Sequence, residues 1–206
     1  MNSTIDYYNI HADDYYWTTV GVDLDATRRR FAAYLPAEAR IIDLGCGSGR
    51  DVLAFRNMGF NAVGLDAAEE LVKLAKERLE IPAIVEDMAD WTADKPYDGI
   101  WCCASLMHLN DEDCRRFFSN LSYNLKIGGA LYISVRSGIE TGTDDDGRYM
   151  KNFREEDMQD LIDRVKGLGI SELWYSEDAL SGRDFRWLNL IAKRSHDPLT
   201  QTFLQQ

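Results

Sequence analysis

Arg40-Ile41-Ile42-Asp43-Leu44-Gly45-Cys46-Gly47-Ser48-Gly49-Arg50 decides how this chain folds. Two branched apolar residues run into an acid, and glycines follow at every second position. The pattern Arg50-Asp51-Val52-Leu53-Ala54 then opens a helix. The span reads as a buried strand, a tight turn and a helix N-terminus. Glycine lets such a turn take unusual dihedrals and lets a ligand approach the backbone, while the helix start adds unpaired N–H groups and positive dipole character. The dinucleotide pattern G-x-G-x-x-G would put its third glycine at the position of Arg50, and no Gly-Lys-Ser/Thr triplet of a phosphate loop is present. An acid two residues before the turn suits a ligand with an ammonium or hydroxyls better than a pyrophosphate.

The composition sets the frame. The 206 residues are 45% hydrophobic, enough for one domain with a sizeable core. A net charge of −12 argues against a broad nucleic-acid surface, and Arg28-Arg29-Arg30 reads as a helix surface. Four cysteines (Cys46, Cys102, Cys103, Cys114) lack C-x-x-C spacing and any local His cluster, so reduced thiols and no metal are expected. No signal-peptide pattern or membrane-length apolar run is seen, and the expectation is a cytoplasmic protein.

Outward from the glycine stretch, strand and helix patterns alternate. Strands are expected at Ile41–Leu44, Asn61–Asp66, Pro82–Asp87, Tyr97–Ala104 and Ala130–Arg136. Helices are expected at Gly49–Asn57, Ala67–Glu80, Asp111–Leu125 (Asn110 or Asp111 as N-cap) and Phe153–Lys166. Ser137 to Gly147 reads as a polar loop. Two last strand-like runs, Ile170–Ser176 and Phe185–Ala192, are joined by too few residues for a helical crossover and should pair antiparallel. The fold class is therefore α/β: a Rossmann-like, mostly parallel seven-stranded sheet with a C-terminal antiparallel hairpin and helices on both faces. Residues 1–36 are expected as an aromatic N-terminal helical lid, 37–194 as the ligand-binding domain and 195–206 as a disordered tail. Asp43, Asp66 and Asp87 close successive strands and should line one edge of the sheet, where ligands of such folds sit.

The acid, the G-x-G-x-G turn and the spaced strand-end acids together resemble class I S-adenosylmethionine (SAM)-dependent methyltransferases, over roughly residues 40 to 136. The Tyr-Tyr-Asn opening and Arg-Trp-Leu-Asn ending resemble, more loosely, a bacterial group of small methyltransferases similar to tellurite-resistance methyltransferases. The resemblance implies SAM as cofactor. Asp43, Gly45, Cys46 and Gly47 would lie along its methionine portion, and Asp66 with Ala67 at the ribose. Asp87 with Met88 would lie at the adenine, Cys103 near the methionine end, and Tyr8 over the cofactor.

Alignment and exclusion of water are the main tasks in methyl transfer, and a base is needed only where the acceptor must lose a proton. His108, after the fourth strand, is the candidate base; a capping or packing role is the alternative. Arg136, Arg148, Tyr149 and Tyr16 are candidates for the acceptor site. The arginines suit an anion, although Arg148 could equally pair with Asp144–Asp146. Arg50 could contact the SAM carboxylate or lie exposed. Cys102 and Cys103 read as buried strand residues rather than nucleophiles. The expected partner is a small-molecule acceptor. Protein methylation, SAM binding without turnover and aminopropyl transfer are rivals.

Overall fold

The computed structural model describes residues 3–178 and 185–195. Strand β1 (Arg40–Leu44) carries Ile41 and Ile42 to opposite faces, and both are fully buried because helices cover both. β2 (Asn61–Asp66), β3 (Ala83–Val85), β4 (Tyr97–Cys103) and β5 (Leu125–Ser137) follow in chain order. β6 (Gly142–Thr143) and β7 (Tyr149–Met150) form a separate ribbon, and β8 (Leu168–Glu177) and β9 (Arg186–Arg194) end the sheet. The sheet order is β3-β2-β1-β4-β5-β9-β8. β1 to β5 pair in parallel, and β9 runs antiparallel to both β5 and β8. This is the expected mostly parallel seven-stranded sheet with its antiparallel hairpin.

Three short helices come first: α1 (Ser3–Ile10), α2 (Ala12–Thr19) and α3 (Asp25–Ala32). They are followed by α4 (Arg50–Asn57), α5 (Glu69–Leu79), α6 (Asp111–Asn124) and α7 (Glu155–Asp163). Alternate strand residues separate into two cores. Ile42, Ile100, Leu131 and Ile133 pack with Phe117 and Phe118 of α6 and Met158 of α7. Ile41, Trp101 and Tyr132 pack with Phe31 of α3 and Val52 and Phe55 of α4. Trp101 and Tyr132 stack at 3.9 Å. Phe31 is fully buried, so α3 belongs to the sheet's core, whereas α1 and α2 rest on α5 through Ala12, Tyr16, Leu71 and Leu74.

Several boundaries differ from expectation. β3 ends at Val85, which leaves Asp87 beyond the strand. β5 begins at Leu125 rather than after the glycine pair, and its pairing to β4 jumps from Leu125 to Ala130 around Gly128 at φ +83°. The polar loop holds the β6–β7 ribbon because the Asp144 carboxylate accepts from the main chain of Asp146 and Arg148, closing its turn. α6 starts as expected, with the Asn110 side chain accepting from Glu112 N and Asp113 N. The tail from residue 196, including His196, and most of the β8–β9 connection lie outside the described residues.

Candidate functional site

The site forms where β1 ends. Gly45 stands at φ +76°, and a Cβ there would lie 2.3 Å from Ser105 Cβ. Gly47 stands at φ +51°, with the Tyr15 ring 3.0 Å from where its Cβ would be. Gly45 therefore requires glycine, for conformation and for space, and Gly47 is closely packed at a left-handed φ that favours it. The turn is tied to the next strand: Gly45 N and Cys46 N donate to Leu65 O at 2.7 and 3.0 Å. The Asp66 carboxylate then accepts from Gly47 N and from Ala68 N, both at 2.9 Å. One acid thus braces the glycine turn and the entry to α5. Burial raises the Asp66 carboxyl above its ordinary range, opposed by those N–H donors. On the far side Ser105 Oγ donates to Leu44 O at 2.6 Å. Ala104 before it holds φ +57°, a strained conformation for a residue with a Cβ, at the rim of the cavity.

Two adjoining cavities open on this turn. A narrow one of about 80 Å³ is lined by Asp66, Ala67, Asp87, Met88 and His108, among others. A larger one of about 660 Å³ runs from Asp43, Cys46 and Arg50 past Cys103 to Arg136 and Trp187. Tyr8, Tyr15, Gly45 and Ala104 border both. Asp43 is buried at the floor of the larger one, its carboxyl raised well above the usual range by burial and then by the neighbouring Asp51 charge.

His108 faces the narrow cavity with both ring nitrogens bonded. Nδ1 lies 2.9 Å from Tyr149 O, and Nε2 lies 2.9 Å from Tyr8 Oη. A carbonyl can only accept, so the neutral ring carries its proton on Nδ1, and Nε2 accepts from the Tyr8 hydroxyl. Tyr149 N in turn donates to Thr4 Oγ1 at 2.9 Å. Thr4 and Tyr8 sit one turn apart on α1, so a closed ring of contacts fastens α1 to the β4–α6 connection and the β7 strand. Burial lowers the His108 pKa to about 4.

The remaining candidates divide. Arg136 and Arg148 line the larger cavity. Arg148 is ion-paired to Asp144 at 2.8 Å and Asp146 at 2.9 Å and lies over the Tyr7 ring. Arg50 bonds Asp51 at 2.7 Å and Thr19 O at 3.4 Å. Tyr149 lines neither cavity and contributes its main chain instead. Tyr16 lines neither as well; it is buried on α5 beneath the Arg78 guanidinium. A periodicity that places Tyr15 and Tyr16 on one helix does not say which of them faces the ligand, and the inward one is Tyr15. Burial lifts the Cys102 and Cys103 thiols to about 12, which leaves them poor nucleophiles.

Three residues escape sequence reading: Thr4, Ser105 and Asp51. Asp51 is buried and accepts from Arg28 Nη1 at 2.7 Å, Arg50 Nη2 at 2.7 Å and Trp101 Nε1 at 3.1 Å. Burial works against its charge, and the two guanidiniums outweigh it and hold the carboxyl below its ordinary range. The only sequence signal for it was its place one residue after Arg50. Among the described residues no helix is long and apolar enough to cross a membrane, and no group of three or more His, Cys, Asp or Glu could hold a metal.

Residues 41–129 match a family model described as a methyltransferase domain. The ubiquinone biosynthesis O-methyltransferase of Xanthomonas campestris is 32% identical over 121 residues, covering 55% of this chain and 48% of that protein. The chain spans about half the length of the curated relatives it matches. A TehB-like SAM-dependent methyltransferase from Corynebacterium glutamicum superposes with a TM-score of 0.69 at 21% identity, over 90% of this chain and 99% of that one. The 1,6-didemethyltoxoflavin-N1-methyltransferase of Burkholderia thailandensis, with 1,6-didemethyltoxoflavin and S-adenosylhomocysteine (SAH) bound, gives 0.70 at 17% identity, over 95% and 92%. At such identities the likeness is one of fold. Over residues 41–129 the chain thus resembles a methyltransferase domain, and its fold is that of the solved SAM-dependent methyltransferases.

Proposed function

We propose that this chain transfers a methyl group from SAM to a small-molecule acceptor. One observation carries the reading: a turn closely packed at Gly45 and Gly47 and braced by Asp66 opens onto two contiguous cavities. The residues fit the cofactor. Asp66 and Asp87 would accept from ribose hydroxyls and the adenine amino group, with Met88 against the ring. Asp43, buried at the floor of the larger cavity, would gain a cationic partner in the ammonium, which offsets the cost of its burial. Bound there, SAM supplies a methyl group activated on a sulfonium. An acceptor atom aligned with that methyl would take it as the C–S bond breaks and the electron pair stays on sulfur, and a proton displaced from a protic acceptor would leave to solvent when the site opens.

The chain's own residues bind, align and exclude water. Tyr8 and Tyr15, on α1 and α2, roof the place where the cavities meet, which makes residues 3–19 a lid. This roof favours a small acceptor over a protein side chain. The acceptor in the Burkholderia structure is likewise a small molecule. In this arrangement the Tyr8 hydroxyl stands on the only lone pair His108 offers. His108 therefore orients Tyr8 as a hydrogen-bond acceptor and is not poised as a free base. Calorimetric titration with SAM and with SAH tests the reading. Both should bind one per chain with micromolar Kd, and Asp66→Ala should weaken both at least about tenfold, the loss of more than one charge-assisted hydrogen bond. Absence of binding by the unaltered protein would overturn it.

A further inference from the structure

We infer that the acceptor is a small planar carboxylate, its anion held by Arg136 and its flat body laid on the wall made by Phe185 and Trp187. This rests on the methyl-transfer reading above.

The sheet builds that wall. Tyr132, Ser134 and Arg136 alternate along β5, so their side chains share one face. Their cross-strand neighbours on β9 include Asn189, opposite Ser134, and Trp187, opposite Arg136, with Ser176 of β8 opposite Trp187. All of these line the larger cavity. On its other side β5 pairs with β4, setting Ser134 beside Cys103. The row therefore starts next to Cys103 and Ala104, where the two cavities meet, and ends at Arg136. Two strand residues separate these levels, about 7 Å, the span of one six-membered ring and its substituents.

Arg136 is presented in a form that suits a carboxylate. Its guanidinium lies 4.5 Å over the Phe185 ring and 5.8 Å from Trp187, and the two rings meet edge to face at 5.4 Å. A guanidinium packed on aromatic rings has fewer orientations open to it, and its planar fork matches a carboxylate at two points. The indole is itself fixed, Trp187 Nε1 donating to Asp178 at 3.2 Å. Three carboxylates stand near this end, and Asp178 is the one bonded to Trp187. Asp146 is paired to Arg148, and Glu177 is exposed at the rim, cross-strand from Arg186.

The test is calorimetry on the SAH-loaded protein, titrated with benzoate, 4-hydroxybenzoate and cinnamate and with their primary amides. At least one acid should bind about tenfold or more tighter than its amide. Arg136→Gln should abolish that preference, Arg136→Lys should restore part of it, and Trp187→Ala should weaken acid and amide alike. Equal binding of acid and amide, no binding of any acid to a protein that holds SAH, or a preference that survives in Arg136→Gln would overturn the inference. Failure of the chain to bind SAH at all would instead sink the methyl-transfer reading, so the two failures are distinct.

Discussion

His108 illustrates how a single residue is set by its neighbours more than by its type. An unperturbed imidazole near 6.5 suits a base at neutral pH, but burial takes this one to about 4. The folded state therefore holds His108 neutral, while the unfolded chain protonates it as pH falls through 6.5. The stability that this provides is complete above pH 6.5 and is lost as pH falls toward 4. For a partly exposed ring the loss should reach about 2 kcal/mol. The raised carboxyls of Asp43 and Asp66 work in the opposite sense, gaining stability as pH falls, so the comparison must be between two proteins that share them. Urea unfolding at pH 7 and pH 4.5 should show the unaltered protein losing about 2 kcal/mol more than His108→Gln, which cannot titrate. Equal losses would mean that the ring is not held neutral.

Helix α1 is fastened by side chains rather than by a broad apolar face. Thr4 and Tyr8 make the ring of contacts with Tyr149 and His108, and Asn9 Oδ1 accepts from Glu70 N at 3.0 Å on α5. Tyr8→Phe keeps the aromatic packing and removes one hydrogen bond of about 1 kcal/mol. SAH release, followed by stopped-flow fluorescence, should quicken about fivefold in that variant. An unchanged rate would show that α1 does not gate the site. The strands and helices around this element were legible in the sequence because period and punctuation agree there. Ile41-Ile42 requires two covered faces, and Gly45 leaves no room for a Cβ. Asp66 ends β2 as expected, but its bond to Gly47 N was not foreseen, since strand adjacency brings together residues whose contact no local pattern encodes. The same holds for Ser105, which reaches β1 from just past the end of β4, and for Thr4, which meets Tyr149 from 145 residues away in the chain. Tyr16 and Tyr149 line neither cavity, because residue type was legible and facing direction was not.

At the scale of the molecule, the N-terminal third-layer helices divide between two bodies. The sequence suggested one lid over residues 1–36. In the structure α3 is built into the sheet: Phe31 packs on Phe55 and Trp101, and Arg28 donates to the buried Asp51. Parting Arg28 from Asp51 would take a buried guanidinium away from its nearest carboxylate, so α3 cannot leave the core cheaply. Helices α1 and α2 show no buried ion pair of this kind among the described residues; α2 has the more exposed Asp13–Arg78 pair and the bond from Arg50 to Thr19 O. They rest on α5 and on the contacts of Thr4 and Tyr8, and residues 20–24 link them to α3, with Gly21 meeting nothing within 4 Å of a Cβ position. Opening should therefore turn at residues 20–24 and move residues 3–19 alone. Amide hydrogen exchange with and without SAH separates the two arrangements. SAH should slow exchange across residues 3–19 about tenfold or more, while residues 25–32, already protected by the core, should change by less than about twofold. Slowing of both segments together would make α3 part of the moving body, and the buried Arg28–Asp51 pair would then have to break in every opening.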